Sequence, residues 1–211
     1  MRGRSLPLPD AAHVGIHASS SEAHRCAGRI VALKATVHRL ELEVADIERG
    51  YYATHALTLA RHPSETAERL LLRVLAFALH AHPELEFGRG LSTGEDPDLW
   101  LRDATGSVRL WIELGLPEER RLRRAAGRAQ ELVVIAYGGR SGVDLWWERN
   151  RAALARLERL RVLAIAPEEL RELAGFLDRG MRLQCTVQDG QVCISGAERA
   201  LIIEPVVLRA H

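Results

Sequence analysis

Lysine is almost absent from this 211-residue sequence. Of its 29 lysine and arginine residues, only Lys34 is a lysine. Arginine as nearly the sole cation fits codon bias in a GC-rich genome better than selection for bidentate phosphate contacts. The formal net charge at pH 7 is +1, so the chain lacks the broad basic surface that is typical of proteins bound constantly to nucleic acid. Local basic patches remain compatible with this composition.

Long apolar runs are also missing. No stretch reaches the roughly 18 apolar residues that a membrane-spanning helix needs. The N-terminus has no apolar segment of the kind that directs secretion. We therefore expect a cytoplasmic protein without membrane contact.

Cysteine is scarce, and its spacing fits no zinc or redox motif. Cys26, Cys185 and Cys193 cannot all be paired, because their number is odd. A two-residue turn at Asp189-Gly190 predicts a hairpin in which Cys185 and Cys193 face opposite sides. A disulfide between these two residues is therefore not expected.

The first 30 residues differ from the rest of the chain. Residues 1–30 show no helical or strand period, and the pattern changes abruptly at Val31. We predict that this extension is disordered. An alternative is that it is not translated, because Val31 fits a GTG start codon. The hydrophobic content of 47% is enough for residues 31–211 to form a single domain with its own core.

Hydrophobic periodicity predicts alternating strands and helices after Val31. Residues 32–44 alternate with one slip, as in a bulged strand. The other predicted strands cover 49–59, 98–103, 108–114, 132–137, 160–166, 182–187, 191–195 and 201–204. Predicted helices cover 65–81, 117–129, 143–157 and 167–178. The order is typical of an α/β domain with a mixed β-sheet flanked by helices and a C-terminal β-meander.

A nuclease-like motif lies on two of these strands. Pro97-Asp98 opens one strand and Glu113-Leu114-Gly115 closes the next, which outlines a PD-(D/E)xK site. The hairpin between them brings the two carboxylates to one sheet edge. Such oxygen ligands suit Mg²⁺ or Mn²⁺, and the carbonyl of Leu114 is a third candidate ligand. Glu68 is a slightly better candidate than Glu65 for a further acid, because helix capping explains Glu65 equally well.

The lysine of that motif is missing, since Gly115 occupies its position. Arginine can stabilise developing charge but hardly acts as a base, because its pKa stays above about 12. Candidates for that electrostatic role are Arg121 and Arg124 on the following helix, and Lys34 from the first strand. The glycine loop at 87–90 is neither a P-loop nor a dinucleotide fingerprint and is better explained as a turn.

Several blocks of this sequence resemble one family closely. The sequence from residue 31 to residue 210 looks like a YaeQ protein, and five blocks carry the resemblance: residues 49–65, 85–90, 97–100, 137–140 and 181–191. The resemblance implies a restriction-endonuclease-like core with a variant PD-(D/E)xK site. It implies no settled biochemical role.

Three functions remain open. The first is a Mg²⁺- or Mn²⁺-dependent phosphodiesterase that acts on nucleic acid through Asp98 and Glu113. The second is a catalytically inactive nuclease fold that serves as a binding or regulatory module, with a protein as its partner. The third treats the motif as structural, with Glu113 and Arg124 in a surface ion pair worth about 0–1 kcal/mol. The sequence names neither a substrate nor an oligomeric state.

Overall fold

The computed structural model describes residues 35–88 and 96–210. These residues form two β-sheets and four helices, whereas the sequence pattern predicted a single mixed sheet. The predicted N-terminal extension and Lys34 lie outside the described residues. Among the described residues, no helix is long and apolar enough to cross a membrane.

The first sheet has five strands and brings together the first two described strands and three from the C-terminal part of the chain. Its order is β10-β9-β8-β1-β2, with β1 parallel to β8 and all other neighbours antiparallel. The strands are β1 (Thr36–Asp46), β2 (Tyr51–Arg61), β8 (Gly180–Gln188), β9 (Gln191–Ser195) and β10 (Ala200–Ile203). The last three form the predicted meander.

The second sheet has six strands in the order β11-β7-β6-β5-β4-β3. Its central strands β5, β6 and β7 are parallel, and β3, β4 and β11 pair antiparallel at the two sides. The strands are β3 (Leu85–Phe87), β4 (Leu99–Arg102), β5 (Val108–Leu114), β6 (Ala129–Ala136), β7 (Leu160–Ala164) and β11 (Val206–Arg209). The short strands β3 and β11 were not predicted.

Four helices connect these strands. They are α1 (Ala67–Leu79), α2 (Glu119–Ala126), α3 (Arg140–Leu154) and α4 (Pro167–Ala174). Helix α1 begins after Thr66, whose Oγ1 accepts a hydrogen bond from the backbone N–H of Arg69 at 3.2 Å. Its residues from Leu70 to Ala78 are all buried, as expected for a helix with apolar residues on every side.

The described residues form two hydrophobic cores, and the larger one contains the buried residues of α1. The larger core joins the inner face of the five-stranded sheet, helices α1 and α4, and one face of the six-stranded sheet. The smaller core packs α2 and α3 on the opposite face of the six-stranded sheet. The six-stranded sheet is therefore covered on both faces, which accounts for the continuous burial of Leu132–Ala136.

The first strand is regular rather than bulged. Its eleven residues pair one to one with β2 without a register shift. The inward positions are His38, Leu40, Leu42 and Val44, while Val37 is 55% exposed. The prediction of a bulge was wrong because it required Val37 to face inward, whereas a buried histidine continues the alternation.

Three other predictions about local structure are resolved. Cys185 pairs with Ile194 and Thr186 with Cys193, so the two thiols face opposite sides as predicted; Cys185 is buried and Cys193 exposed. The helix predicted over 117–129 is shorter, because Ala129 already begins β6. The third prediction concerns Gly88, in the glycine loop that was explained as a turn. Gly88 lies against Pro97: a Cβ on Gly88 would approach the Pro97 carbonyl oxygen to 1.9 Å. That glycine is required by the chain's own packing.

Candidate functional site

Asp98 lies immediately before β4, at the end of the six-stranded sheet where β5 finishes. Its backbone N–H donates to the Ile112 carbonyl at 2.9 Å, which continues the β4–β5 ladder. Its Oδ2 accepts a hydrogen bond from the Leu114 N–H at 2.8 Å, and its Oδ1 accepts one from Nη2 of Arg69 at 2.5 Å. Asp98 is 6% exposed. The carboxylate is thus held by a backbone donor and by a guanidinium from α1.

Glu113 lies on the neighbouring strand β5 and is 3% exposed. Its Oε1 accepts a hydrogen bond from Nε1 of Trp111 at 2.7 Å. The same oxygen accepts from Nε of Arg121 at 2.9 Å and lies 2.8 Å from Nη2 of that residue. Arg121 Nη2 also donates to the Asp96 carbonyl at 2.8 Å. Arg121 therefore joins the start of α2 to the loop before β4.

Burial raises the pKa of Glu113. The hydrogen bonds from Arg121 and Trp111 oppose this rise, and the charge of Asp98 adds to it. The two carboxylates are therefore close enough to interact electrostatically, as the sequence predicted from the hairpin.

A second carboxylate–arginine network lies behind Asp98. Glu65 is 3% exposed, and its Oε1 lies 3.4 Å from Nη1 of Arg69, the residue that also contacts Asp98. Its other oxygen lies 3.4 Å from Nη1 of Arg73, which is itself buried and also reaches the Ala60 carbonyl at 3.5 Å. The acidic residue connected to Asp98 is thus Glu65, which lies just before α1, through Arg69.

Tyr137 contributes a phenol at the end of β6. Burial raises the pKa of Tyr137. The charge of Arg69 opposes this rise, and the charges of Asp98, Glu65 and Glu68 add to it. The hydroxyl therefore stays protonated at neutral pH and is available as a hydrogen-bond donor. Its ring faces Gly115: a Cβ on that glycine would lie 3.6 Å from the ring carbon Cε1.

Gly115 has a backbone conformation that disfavours a lysine. Its φ is +104°, a value that residues with a side chain rarely adopt. Its N–H donates to the Ile135 carbonyl at 3.0 Å, which ties this conformation to β6. The missing lysine is therefore more than a change of side chain, because the backbone at this position departs from that of a regular strand.

The other predicted site residues are distributed as follows. Arg124 is exposed on α2, and the ion pair predicted between it and Glu113 is instead made by Arg121, one turn closer to the site. Glu113 is buried, so the prediction of a surface ion pair was wrong on this point too. Glu68 is half-buried on α1 and influences Tyr137. Leu114 contributes its N–H to Asp98.

The charges of this cluster balance. Three carboxylates (Glu65, Asp98, Glu113) face three guanidinium groups (Arg69, Arg73, Arg121). Asp98 and Glu113 carry the hard oxygens that Mg²⁺ prefers. Each carboxylate is already bound by an arginine. The site therefore has a net negative charge for a divalent cation only after one guanidinium has moved away. Within residues 35–88 and 96–210, no three His, Cys, Asp or Glu side chains are grouped as a metal site.

Sequence reasoning missed the arginines of α1 and Tyr137. Arg69 and Arg73 stand four residues apart, next to and within the apolar run of α1, and that spacing places both on one face of a helix with Glu65. A charged pair beside so apolar a run signals a buried ion-pair network. No comparable signal marks Tyr137, because its role depends on pairing between β5 and β6.

Comparison with known proteins agrees with this architecture. The family model described as YaeQ protein matches residues 31–205. The uncharacterised YaeQ protein of Salmonella typhi is 42% identical over 174 residues, which cover 82% of this chain and 96% of that protein. The uncharacterised YaeQ protein of Escherichia coli K12 is 42% identical over 165 residues, or 78% of this chain and 91% of that protein.

Solved structures give the same result. The YaeQ protein from Xanthomonas axonopodis pv. citri superposes with a TM-score of 0.81 at 48% identity, covering 84% of this chain and 99% of that chain. The YaeQ protein from Pseudomonas syringae superposes with a TM-score of 0.80 at 30% identity, covering 84% of this chain and 97% of that chain.

Proposed function

The chain belongs to the YaeQ family, and from its site we propose that it has a restriction-endonuclease-like fold which no longer hydrolyses phosphodiesters and serves as a metal-independent binding module. One observation carries this proposal: Asp98 and Glu113 are each bound by an arginine, so the cluster is neutral without a metal. The φ of +104° at Gly115 adds to it, because a lysine is disfavoured there. The proposed restriction-endonuclease-like fold makes nucleic acid the first ligand to test and a protein the second.

In this proposal the arginines replace the metal as the counter-charge of the carboxylates. A guanidinium donates several hydrogen bonds in a fixed plane and cannot lose its proton under physiological conditions. Arg69 and Arg121 therefore keep their positive charge beside Asp98 and Glu113, and a divalent cation must compete with a covalently tethered cation. Tyr137 contributes a neutral donor at the same end of the sheet.

The decisive experiment is a calorimetric titration of Mg²⁺ and of Mn²⁺ into the full chain. We expect no saturable heat at millimolar concentration in the wild type. We also expect Arg121→Ala and Arg69→Ala to bind these cations more tightly than the wild type, because each frees a carboxylate. Arg124→Ala is the matched control, since Arg124 is exposed on the same helix as Arg121. Saturable binding by the wild type that is lost in Asp98→Asn/Glu113→Gln would overturn the proposal.

A second candidate function is a Mg²⁺- or Mn²⁺-dependent phosphodiesterase. The favouring observation is that Asp98 and Glu113 come from adjacent strands and interact electrostatically, as two ligands of one metal must. If a metal bound there, these carboxylates and the Leu114 carbonyl would hold it, and Arg121 would stabilise charge on the phosphate. Hydrolysis of DNA or RNA by the wild type, lost in Asp98→Asn, supports this candidate.

Partner binding separates the two candidates further. For the binding module, we expect fluorescently labelled single- or double-stranded nucleic acid, or a protein recovered by pull-down, to bind equally well with and without a chelator. For the phosphodiesterase, removal of divalent cations is expected to abolish turnover. Binding that disappears with the chelator would contradict the first proposal.

A further inference from the structure

Within residues 35–88 and 96–210, the edge of the five-stranded sheet at β2 is open. Among the described strands, β2 has β1 as its only neighbour, and it runs for eleven residues. The other three edge strands, β3, β10 and β11, are only three or four residues long. Proteins usually shorten, charge, bend or cover their sheet edges, because free strand edges pair with other strands. β3, β10 and β11 follow this rule, and β2 does not.

None of the usual protective features is present in β2. It contains no proline, and from Tyr51 to Ala60 it contains no Asp, Glu, Lys or Arg. All eleven residues pair with β1 in a single register without a bulge. The strand is therefore a regular template about 35 Å long, with its only Asp, Glu, Lys or Arg residue, Arg61, at one end.

The backbone groups that point to the free edge can be assigned. On the β8 side of β1, the N–H of Arg39 donates to the Arg179 carbonyl just before β8, and the N–H of Ile47, just after β1, donates to the Val187 carbonyl. Alternate residues of a strand direct their backbone groups to opposite sides, so Leu40, Leu42 and Val44 bond to β2. Their partners on β2 are Leu57, His55 and Ala53. The backbone groups of the intervening residues point away from the sheet; these residues are Tyr52, Thr54, Ala56, Thr58 and Ala60.

The hydrophobic core covers Leu59 of this strand but is incomplete over the rest of it. On β1 the inward residues Leu40, Leu42 and Val44 are 1–3% exposed. On β2 the inward residues opposite them, Leu57, His55 and Ala53, are only half-buried. The apolar layer therefore continues to the open edge, where a further strand would cover it.

We propose that β2 pairs antiparallel with β2 of a second copy of this chain, about a two-fold axis at Ala56, to form a ten-stranded sheet. This register joins all five outward-pointing residues in hydrogen-bonded pairs. It places Thr54 opposite Thr58 of the other copy, and the large Tyr52 opposite the small Ala60. Such pairs are favourable neighbours across antiparallel strands.

The one Asp, Glu, Lys or Arg residue of β2 is Arg61 at its C-terminal end, so antiparallel pairing keeps the cations of the two copies apart, which favours a second copy as the occupant. At the ends of the paired region Arg61 lies opposite Tyr51 of the other copy, a cation beside an aromatic ring. No like charges face each other anywhere along the register. The proposal does not depend on the function proposed for the Asp98–Glu113 site.

The experiment is analytical ultracentrifugation of the full chain up to about 200 µM, a range that detects weak self-association. We expect the sedimentation coefficient to rise with concentration toward that of a dimer. Ala56→Lys and Ala56→Glu each place like charges opposite each other at the axis and are expected to weaken association about tenfold or more. Mixing the two variants is expected to restore a heterodimer.

The controls distinguish this interface from others. Position 56 is exposed, so both variants are expected to keep the wild-type circular dichroism and melting temperature. Ala152→Lys introduces the same charge at an exposed alanine of α3 and is expected to dimerise like the wild type. A full chain that stays monomeric throughout the concentration range would overturn the proposal. Equal dimerisation of all three variants would overturn it as well, because another surface would then be responsible.

Discussion

The five-stranded sheet exposes one face and keeps its charged side chains there, whereas the six-stranded sheet is covered on both faces and ends in buried ion pairs. On the first, Glu41 and Arg182 lie 3.9 Å apart with side chains 52% and 87% exposed. In the network behind Asp98, which α1 connects to the end of the second sheet, Glu65 and Arg73 lie 3.4 Å apart with side chains 2% and 5% exposed. Water screens the first pair, but the buried Arg73 depends on Glu65 for its counter-charge.

Deleting one carboxylate from each of these two ion pairs is expected to show the largest contrast. Glu65→Ala leaves Arg73 buried without its counter-charge, so we expect the free energy of unfolding to fall by about 3–5 kcal/mol. Glu41→Ala removes a solvated partner and is expected to change it by less than about 1 kcal/mol. Urea unfolding measures both. Similar losses in the two variants would contradict the distinction between the sheets.

Two isoleucines test the same contrast without charge. Ile135 on β6 is 0% exposed and Ile202 on β10 is 56% exposed. We expect Ile135→Ala to lower the free energy of unfolding by about 2–5 kcal/mol, because it leaves a cavity in a covered sheet. Ile202→Ala is expected to stay within about 0.5 kcal/mol of the wild type. A comparable loss at Ile202 would show that the outer face is covered in solution.

Two glycines test the backbone. Gly115 at the end of β5 has a φ of +104°, so Gly115→Ala and Gly115→Lys are expected to cost about 1–3 kcal/mol. Gly180 at the start of β8 has open space around its Cβ position, and Gly180→Ala is expected to be neutral or to stabilise by up to about 1 kcal/mol. Thermal unfolding compares them. If Gly115→Lys is as stable as the wild type, the missing lysine is a change of side chain alone.

The smallest expected effect is on pH dependence. Burial raises the pKa of Glu113 above its usual 4.5, while hydrogen bonds from Thr105 lower the pKa of the exposed Asp103 below 3.8. Between pH 4.5 and the raised pKa of Glu113, the folded state retains a proton on Glu113 that the unfolded state has lost. Stability from this group therefore falls as pH rises through that window. For Asp103 the sign is opposite, and stability is lost as pH falls through its lowered pKa.

Carboxyl NMR resonances measure these two titrations directly. Glu113→Gln is expected to remove the fall in stability above pH 4.5, whereas Asp103→Asn is expected to leave it in place. A Glu113 resonance that titrates below 4.5 would contradict the burial assigned to this carboxylate.

Local patterns predicted most of the strands and helices but not their distribution between two sheets. Alternation along β1 and the apolar run of α1 are visible in the sequence because each depends on residues close in the chain. The pairing of β1 with β8 and of β11 with β7 joins distant segments, and no local period records it. The His38 position was misjudged for a similar reason, since a buried histidine has no distinct pattern.

The candidate site was predictable only in part. Asp98 and Glu113 were found because a hairpin joins them and their motif is short. Arg121 was among the predicted cations, and its contact with Glu113 is now defined. The contributions of Arg69 and Tyr137 depend on α1 packing against the sheet and on β6 lying beside β5, which are tertiary relations.

The parallel pairing of β1 with β8 has a consequence for how the chain folds. β1 and β2 leave the ribosome early, while β8 is synthesised only in the last part of the chain, and residues such as Arg39 and Gly180 must then meet. Contacts between such distant residues slow folding, because a long loop has to close before they form. Both edges of the β1–β2 hairpin therefore lack a partner strand until β8 has been synthesised. During that time the free edges can aggregate or bind chaperones.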